Sequence, residues 1–340
     1  MEIRTYAPVI IPTLNRYDHF RQCLESLENC TGADKTEVYI GLDYPPSEKY
    51  VEGWKKIDAY LHDKENGNGF KQLVVFRRKH NCGVGCENSN SNLLRKYVSE
   101  KFDCYIFSED DNVFSPCFLD YMNKALKKYK DKDRIVSVSG YNHEEFYNQG
   151  QYNVFYSKDS CAWGLGLWKH KEERLKHKLQ NSEYFRDIIH SYSKSKTVLY
   201  SYPACYQMLC DMLDKNVQWD DVKRTTINII EGLYQVHPSI SLVRNNGYDG
   251  SGVHCGVCER ISRQIISTEN YFELGDSGPW NTDDNRNALF HKCMPENNFN
   301  DAFNNIKQRM YKNTIPFYEK YMKLRHYIHM KRVGLFDWFK

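Results

Sequence analysis

The 340-residue sequence has no uninterrupted apolar run near the roughly 20 residues that a membrane-crossing helix needs, so a helical membrane span is excluded. Its opening, Met1-Glu2-Ile3-Arg4-Thr5-Tyr6, lacks the apolar core of a secretory signal. Twelve cysteines are too sparse and too scattered for a disulfide scaffold, and several fall inside apolar runs where a thiol acts as a small hydrophobe. A reducing cytoplasm is the expected setting, with contact at the inner face of a membrane as the peripheral variant. An excess of one charge is lacking too: 47 Lys+Arg against 44 Asp+Glu leaves +3, which argues against a nucleic-acid partner. The glycine-bearing loop 246–254 has no Walker Lys-Ser/Thr and is no dinucleotide fingerprint. His254-Cys255-Gly256-Val257-Cys258 has no second ligand pair at a spacing that suits structural zinc. No internal repeat or low-complexity linker is present.

What is present is ordinary globular composition, 41% hydrophobic and 27% charged, with a 14% aromatic share that includes 26 Tyr. The length allows two domains, or one large α/β domain with an appendage. In the first third, short apolar runs alternate with amphipathic stretches. Strands are predicted at 7–12, 37–42, 73–76 and 104–107, and helices at 17–30, 49–61 and 86–101. Phe20, Cys23, Leu24 and Leu27 repeat at helical spacing in the first of these helices. Such alternation predicts a mostly parallel sheet covered on both faces. Farther on the reading is a strand at 135–138, a Trp/Gly cluster at 161–168, a basic helix-like run at 169–178 and a helix at 203–214. A loop with four glycines follows at 245–256, then a helical stretch over 298–330.

In parallel sheets, ligands bind beyond the carboxyl ends of the strands. Thr13 to Arg16, Asp43 and Glu109 to Asp111 all fall at such ends. Three adjacent carboxylates repel one another unless exposed or neutralised by a cation, and hard oxygen donors suit Mg²⁺ or Mn²⁺. Arg16 carries a fork suited to oxyanions. Asp43 is placed to meet a ribose or base edge. Trp219-Asp220-Asp221 offers a flat ring for a sugar and a carboxylate able to accept a proton from an attacking hydroxyl. Each has a plainer reading as well: a solvated acidic turn, a surface arginine, a turn cap, a helix N-cap. The glycine loop reads as a segment that closes over substrate, or as an ordinary surface loop.

Four segments together resemble the GT-A glycosyltransferases, most closely the N-acetylglucosaminyltransferase I-like group and its bacterial polysaccharide-cluster relatives of the family 2-like type. They are Pro8-Val9-Ile10-Ile11-Pro12-Thr13-Leu14-Asn15-Arg16 with the helix after it, Glu109-Asp110-Asp111 with Ser115 to Tyr121, Cys161-Ala162-Trp163-Gly164-Leu165-Gly166-Leu167-Trp168, and Trp219-Asp220-Asp221 with His237-Pro238-Ser239-Ile240-Ser241 and Gly250 to His254. The likeness spans about residues 7–256.

The resemblance implies a Rossmann-like, mostly parallel α/β sheet flanked by helices. It implies a glycosyltransferase domain at 1–260, with a donor-binding half at about 1–140 and an acceptor-binding half at about 141–260. A mostly helical extension at 261–340 lies outside the likeness. Pro12, Thr13, Arg16, Asp43, Asn88, Glu109, Asp110 and Val253 match donor-side positions, although the group has a His where Asn88 stands. Asp111 matches the carboxylate for Mn²⁺ or Mg²⁺. Trp219 and Trp163 match acceptor contacts, and Asp220 matches the base of an inverting displacement.

The implied activity is transfer of a hexose or N-acetylhexosamine from a nucleotide-sugar, expected to be a UDP-sugar, to a glycan or lipid-linked glycan in polysaccharide biosynthesis. Two other classes stay open: a non-catalytic carbohydrate- or partner-binding protein on this scaffold, and a nucleotidyltransferase. The latter calls for a glycine-rich basic loop after the first strand, which Pro12 to Arg16 is not. The basic, aromatic stretch 331–340 reads as a contact for an anionic membrane, or as a tail packed on the protein.

Overall fold

The computed structural model describes residues 6–83, 86–144, 154–252, 256–269, 274–275 and 296–332. The chain divides into two compact units that interleave along the sequence: Met1–His177 with Gly232–Trp280, and Lys178–Glu231 with Asn281–Lys340.

The first unit is a mixed α/β sheet flanked by helices. β1 (Val9–Thr13), β2 (Glu37–Leu42), β3 (Gln72–Arg77) and β4 (Cys104–Phe107) lie where apolar runs predicted strands. Between them run α1 (Tyr17–Glu28), α2 (Glu48–Asn66) and α3 (Asn90–Ser99). Then come β5 (Asn112–Phe114), α4 (Phe118–Tyr129), β6 (Ile135–Ser139), β7 (Val154–Ser157), β8 (Leu165–Trp168) and α5 (Lys169–Gln180). The eight-stranded sheet is completed by β9 (Tyr234–Pro238) and has the order β3-β2-β1-β4-β8-β6-β9-β7. Pairs β1–β2, β2–β3, β1–β4 and β6–β9 are parallel, while β8 runs antiparallel to both β4 and β6, and β7 antiparallel to β9.

The period of two in strand side chains explains why both faces are covered. Val9 and Ile11 of β1 join one apolar cluster with Phe20, Leu24 and Leu27 of α1 and Ile57 and Leu61 of α2. Ile10, between them, joins the opposite cluster with Leu94 and Val98 of α3. All three β1 side chains are fully buried, which is why the run reads as continuously apolar rather than alternating.

The Trp/Gly segment has a structural use that its sequence did not reveal. It forms β8, and Trp168 Nε1 donates to the carbonyl of Leu126 at 3.1 Å. Three residues later, Lys171 donates from Nζ to the carbonyls of Tyr129 (3.0 Å), Lys132 (3.1 Å) and Ile135 (2.7 Å). Tyr129 ends α4, Lys132 lies in the turn after it and Ile135 opens β6, so one ammonium ties the exit of the helix to the start of the next strand. A cation there also meets the negative end of the helix dipole. Burial lowers the Lys171 pKa to about 8, with Arg174 adding to the effect. The ammonium therefore carries a burial cost that the three carbonyls offset. Replacing Lys171 with Met removes the donor and leaves those carbonyls short, so stability should fall by about 2–3 kcal/mol. A urea titration with unchanged slope reads this as a lower midpoint. A loss under about 0.5 kcal/mol would show that Lys171 does not hold the end of α4.

The second unit is helical: α6 (Ser182–His190), α7 (Tyr192–Ser201), α8 (Pro203–Asp214) and α9 (Asp220–Glu231), joined by a later helix, Glu296–Thr314. Asn181 caps α6 by accepting from the amides of Glu183 (3.0 Å) and Tyr184 (3.3 Å). Pro203 starts α8 at a position where its missing N–H costs nothing. Numbering in chain order, α10 is the short helix Glu259–Ser262, α11 is Glu296–Thr314 and α12 is Tyr318–Arg332. The single helical stretch expected over 298–330 is thus two helices. Pro316 stands at the break, where it cannot continue an α-helix, and Phe317 turns the chain at φ 61°. Arg309 of α11 binds Asp211 and Asp214 of α8, both at 2.6 Å. Among the described residues no helix is long and apolar enough to cross a membrane. The end of the C-terminal basic and aromatic stretch, 333–340, lies outside the described residues.

Candidate functional site

The strand order reverses between β1 and β4. From β1 the chain builds outward to β2 and β3, and β4 then joins on the other side of β1. Such a switch point opens a crevice beyond the carboxyl ends of the two strands. Thr13 ends β1, and Arg16 follows it immediately before α1. Asp110 and Asp111 follow β4 and lead into β5. The topology thus brings together residues almost a hundred positions apart.

They meet as one ionic cluster. A single Arg16 nitrogen, Nη2, lies 2.5 Å from Asp110 Oδ1 and 2.8 Å from Asp111 Oδ2. The Thr13 hydroxyl donates to Asp110 Oδ2 at 2.9 Å. Both carboxylates are buried. Burial pushes the Asp110 carboxyl up from its usual range and the adjacent Asp111 charge adds to this, while Arg16 and Thr13 pull it back. Burial would lower the Arg16 guanidinium, but the two carboxylates outweigh it and hold it above its ordinary value. The Cys23 thiol on α1, buried beside the same charges, is pushed well up and is no nucleophile.

A second layer of the cluster was not legible from local sequence. β10 (Val243–Asn245) pairs antiparallel with β5, placing Asn245 opposite Asn112. Asn245 Nδ2 donates to Asp111 Oδ1 at 2.7 Å, its Oδ1 accepts from the Gly247 amide at 2.9 Å, and the Asn246 amide donates to the Asp111 carbonyl at 2.8 Å. Gly247 approaches so closely that a Cβ there would sit 2.1 Å from Asp111 Oδ2. The start of the four-glycine loop is therefore pinned to the acidic pair. Val253, expected on the donor side, lies outside the described residues.

A neighbouring group lies at the ends of β2 and β3. The Asp43 amide donates to the Thr13 carbonyl at 2.9 Å, which continues the β1–β2 ladder. Its carboxylate accepts from the Tyr44 amide at 2.9 Å and from Asn81 Nδ2 at 3.1 Å, and Arg78 Nε is 3.9 Å away. Burial raises the Asp43 pKa, and the Tyr44 amide and Arg78 oppose the rise. Arg78, which sequence reasoning missed, joins this candidate group, following β3 as Arg16 follows β1. Asn88 is an exposed turn residue whose carbonyl accepts from Arg78 Nη1 at 2.7 Å. Pro12 lies within β1 opposite Gly41, and Glu109 is half-buried beside Asp110.

Trp163 packs edge-on against Tyr141, with centroids 4.5 Å apart, and against Tyr248 at 5.8 Å. Tyr248 belongs to the loop that grips Asp111, so the ionic cluster and this ring group share one segment. Trp219 and Asp220 belong to the second unit. The half-buried Trp219 accepts the first helical bond of α9, from Lys223 at 3.1 Å, and so occupies the N-cap position. Asp220 is exposed in the first turn of α9, where the helix dipole favours its charge.

Asp110 and Asp111 are hard oxygen donors of the kind that Mg²⁺ or Mn²⁺ takes one or two at a time alongside phosphate oxygens, so the donor chemistry fits such an ion. Among the described residues, no group of three or more His, Cys, Asp or Glu converges as a ready-made metal cage. The counter-charge in the cluster is Arg16.

No protein-family model matches the chain, and no curated protein matches it. Solved structures match over part of the fold. One is TarS 1–349 of S. aureus, at 11% identity and a TM-score of 0.36, covering 51% of this chain and 49% of that one. The same protein in complex with UDP-GlcNAc matches at 12% and 0.35, covering 51% and 48%. A third is the mannosyltransferase PcManGT from Pyrobaculum calidifontis in complex with GDP-Man and Mn²⁺, at 13% and 0.34, covering 51% and 47%. The chain thus spans about half the length of these proteins.

Proposed function

We propose that the chain is a GT-A-type glycosyltransferase that moves a hexose or N-acetylhexosamine from a nucleotide-sugar, expected to be a UDP-sugar, to a hydroxyl of a glycan or lipid-linked glycan, with inversion. The observation that carries this reading is the Thr13–Arg16–Asp110–Asp111 cluster at the switch point between β1 and β4. That crevice is where parallel sheets hold nucleotides. It offers a guanidinium, whose fork suits phosphate oxygens, beside hard carboxylates.

In this reading Asp43 and Arg78 hold the nucleoside end of the donor, with Pro12 and Asn88 beside them, and Thr13, Arg16, Glu109 and Asp110 hold the ribose and diphosphate. Asp111 would hold Mn²⁺ or Mg²⁺, which supplies charge stabilisation for the departing diphosphate. Trp163 and Trp219 supply ring faces for sugar. Asp220 takes the proton of the acceptor hydroxyl as it attacks the anomeric carbon from the face opposite the leaving group. The bond formed is acceptor oxygen to anomeric carbon, and the bond broken is anomeric carbon to phosphate oxygen.

Thermal unfolding of the full chain with a panel of nucleotide-sugars, with and without Mn²⁺, tests the reading, paired with assay of released nucleoside diphosphate. At about 100-fold over Kd, a bound donor adds about 2.7 kcal/mol, which raises Tm by several degrees. Stabilisation by one donor with release of its diphosphate is expected. Stabilisation without release, across a panel of glycan acceptors, would identify a binding protein instead, and no stabilisation by any donor would refute both.

A further inference from the structure

We propose that Arg16 is the resident counter-cation of the Asp110–Asp111 pair and that a divalent ion reaches Asp111 only by displacing it, so that Arg16 sets the chain's affinity for divalent metal. The inference deepens the donor reading, on which it rests only for the choice of ion.

The arrangement of partners carries it. One Arg16 nitrogen serves one oxygen of each carboxylate, at 2.5 and 2.8 Å. The other oxygens face neutral donors, the Thr13 hydroxyl on Asp110 and the Asn245 amide on Asp111. The position between the two carboxylates that a cation would seek is therefore taken by a guanidinium. Gly247 closes the approach from the loop side, since a Cβ there would lie 2.1 Å from Asp111 Oδ2 and 3.1 Å from Arg16 Nη1. Room at that oxygen comes from movement of Arg16. A guanidinium and a divalent ion on the same oxygens repel each other strongly in a buried setting, so the two are alternative occupants. Neither carboxylate can be left bare, because burial of two uncompensated adjacent charges is costly. That is the physical reason for a built-in arginine in the ion-free state.

The test is a Mn²⁺ titration of the full chain without nucleotide, read by the paramagnetic signal of free Mn²⁺. The wild type is expected to bind weakly. Arg16→Gln should bind at least tenfold tighter, Arg16→Lys should stay near the wild type, and adding Asp111→Asn to Arg16→Gln should abolish the gain. If Arg16→Gln leaves the fold too strained to purify, the comparison is Asp110→Asn against Asp110→Asn with Arg16→Gln, where the pair carries a single carboxylate. The double variant should again bind tighter. Equal or weaker Mn²⁺ binding on loss of Arg16, in a chain whose circular dichroism matches the wild type, overturns the proposal. Because no sugar nucleotide enters the titration, that failure leaves the donor reading standing. A chain that fails to transfer sugar can still show the exchange.

Discussion

Replacing Asp111 with asparagine is expected to lower sugar transfer about 10²- to 10³-fold, the usual effect of removing one preorganised electrostatic contact from a reacting centre. The substitution keeps the shape of the side chain and changes its chemistry at both ends. Asp111 accepts from Arg16 on one oxygen and from Asn245 on the other. An asparagine has a single carbonyl oxygen, so its NH₂ must face one of these donors. It also removes a negative charge from the crevice while Asp110 stays paired with Arg16. The fold should survive, since β5 pairs with β10 through backbone contacts at residues 112–114, past residue 111. Steady-state assay with a saturating donor, with folding checked by thermal unfolding, gives the answer. Retention of more than a tenth of wild-type turnover would remove Asp111 from the centre of the mechanism.

The second large effect is expected at Asp220. Changing it to asparagine should lower kcat by about 10²- to 10⁴-fold, the range for loss of a general base, while the Kd for the donor changes less than twofold. The split between the two readouts matters. Asp220 is exposed in the first turn of α9, where its charge meets the helix dipole, worth about 0.3–1 kcal/mol, and also pulls up the pKa of Lys223, one turn on, against the burial that lowers it. A loss of that size shifts Tm slightly and cannot reduce turnover a hundredfold. Turnover within threefold of wild type would show that another group takes the proton.

The sequence discloses much of this fold because its first half follows local rules. Residues 38–42 and 104–107 are continuous apolar runs, and β2 and β4 occupy those positions. The stripe Phe20, Cys23, Leu24, Leu27 is the buried face of α1. Arg16, Asp43 and Asp110–Asp111 were identifiable because one rule covers them all: polar groups just past the carboxyl end of a buried parallel strand. The same rule applied to β3 would have found Arg78.

Other parts depend on contacts that no local pattern encodes. Asn245 reaches Asp111 only because β10 pairs with β5 across more than a hundred residues. β8 is four residues long, two of them small or aromatic for reasons of packing, and its antiparallel entry between β4 and β6 leaves no periodic signature. Lys171 reads as one more charge in a basic run, yet it is buried on three carbonyls between the end of α4 and the start of β6. The break at Pro316 was readable from the proline alone, and the helical spacing around it masked the signal.

The most direct test of the account is a crystal structure of the full chain soaked with a UDP-sugar or its hydrolysis-resistant analogue. The account predicts the diphosphate beyond the carboxyl ends of β1 and β4, in contact with Arg16 or with an ion on Asp111, and the nucleoside against Asp43 and Arg78. An ordered nucleotide bound elsewhere, with Arg16 still locked between Asp110 and Asp111, would contradict it.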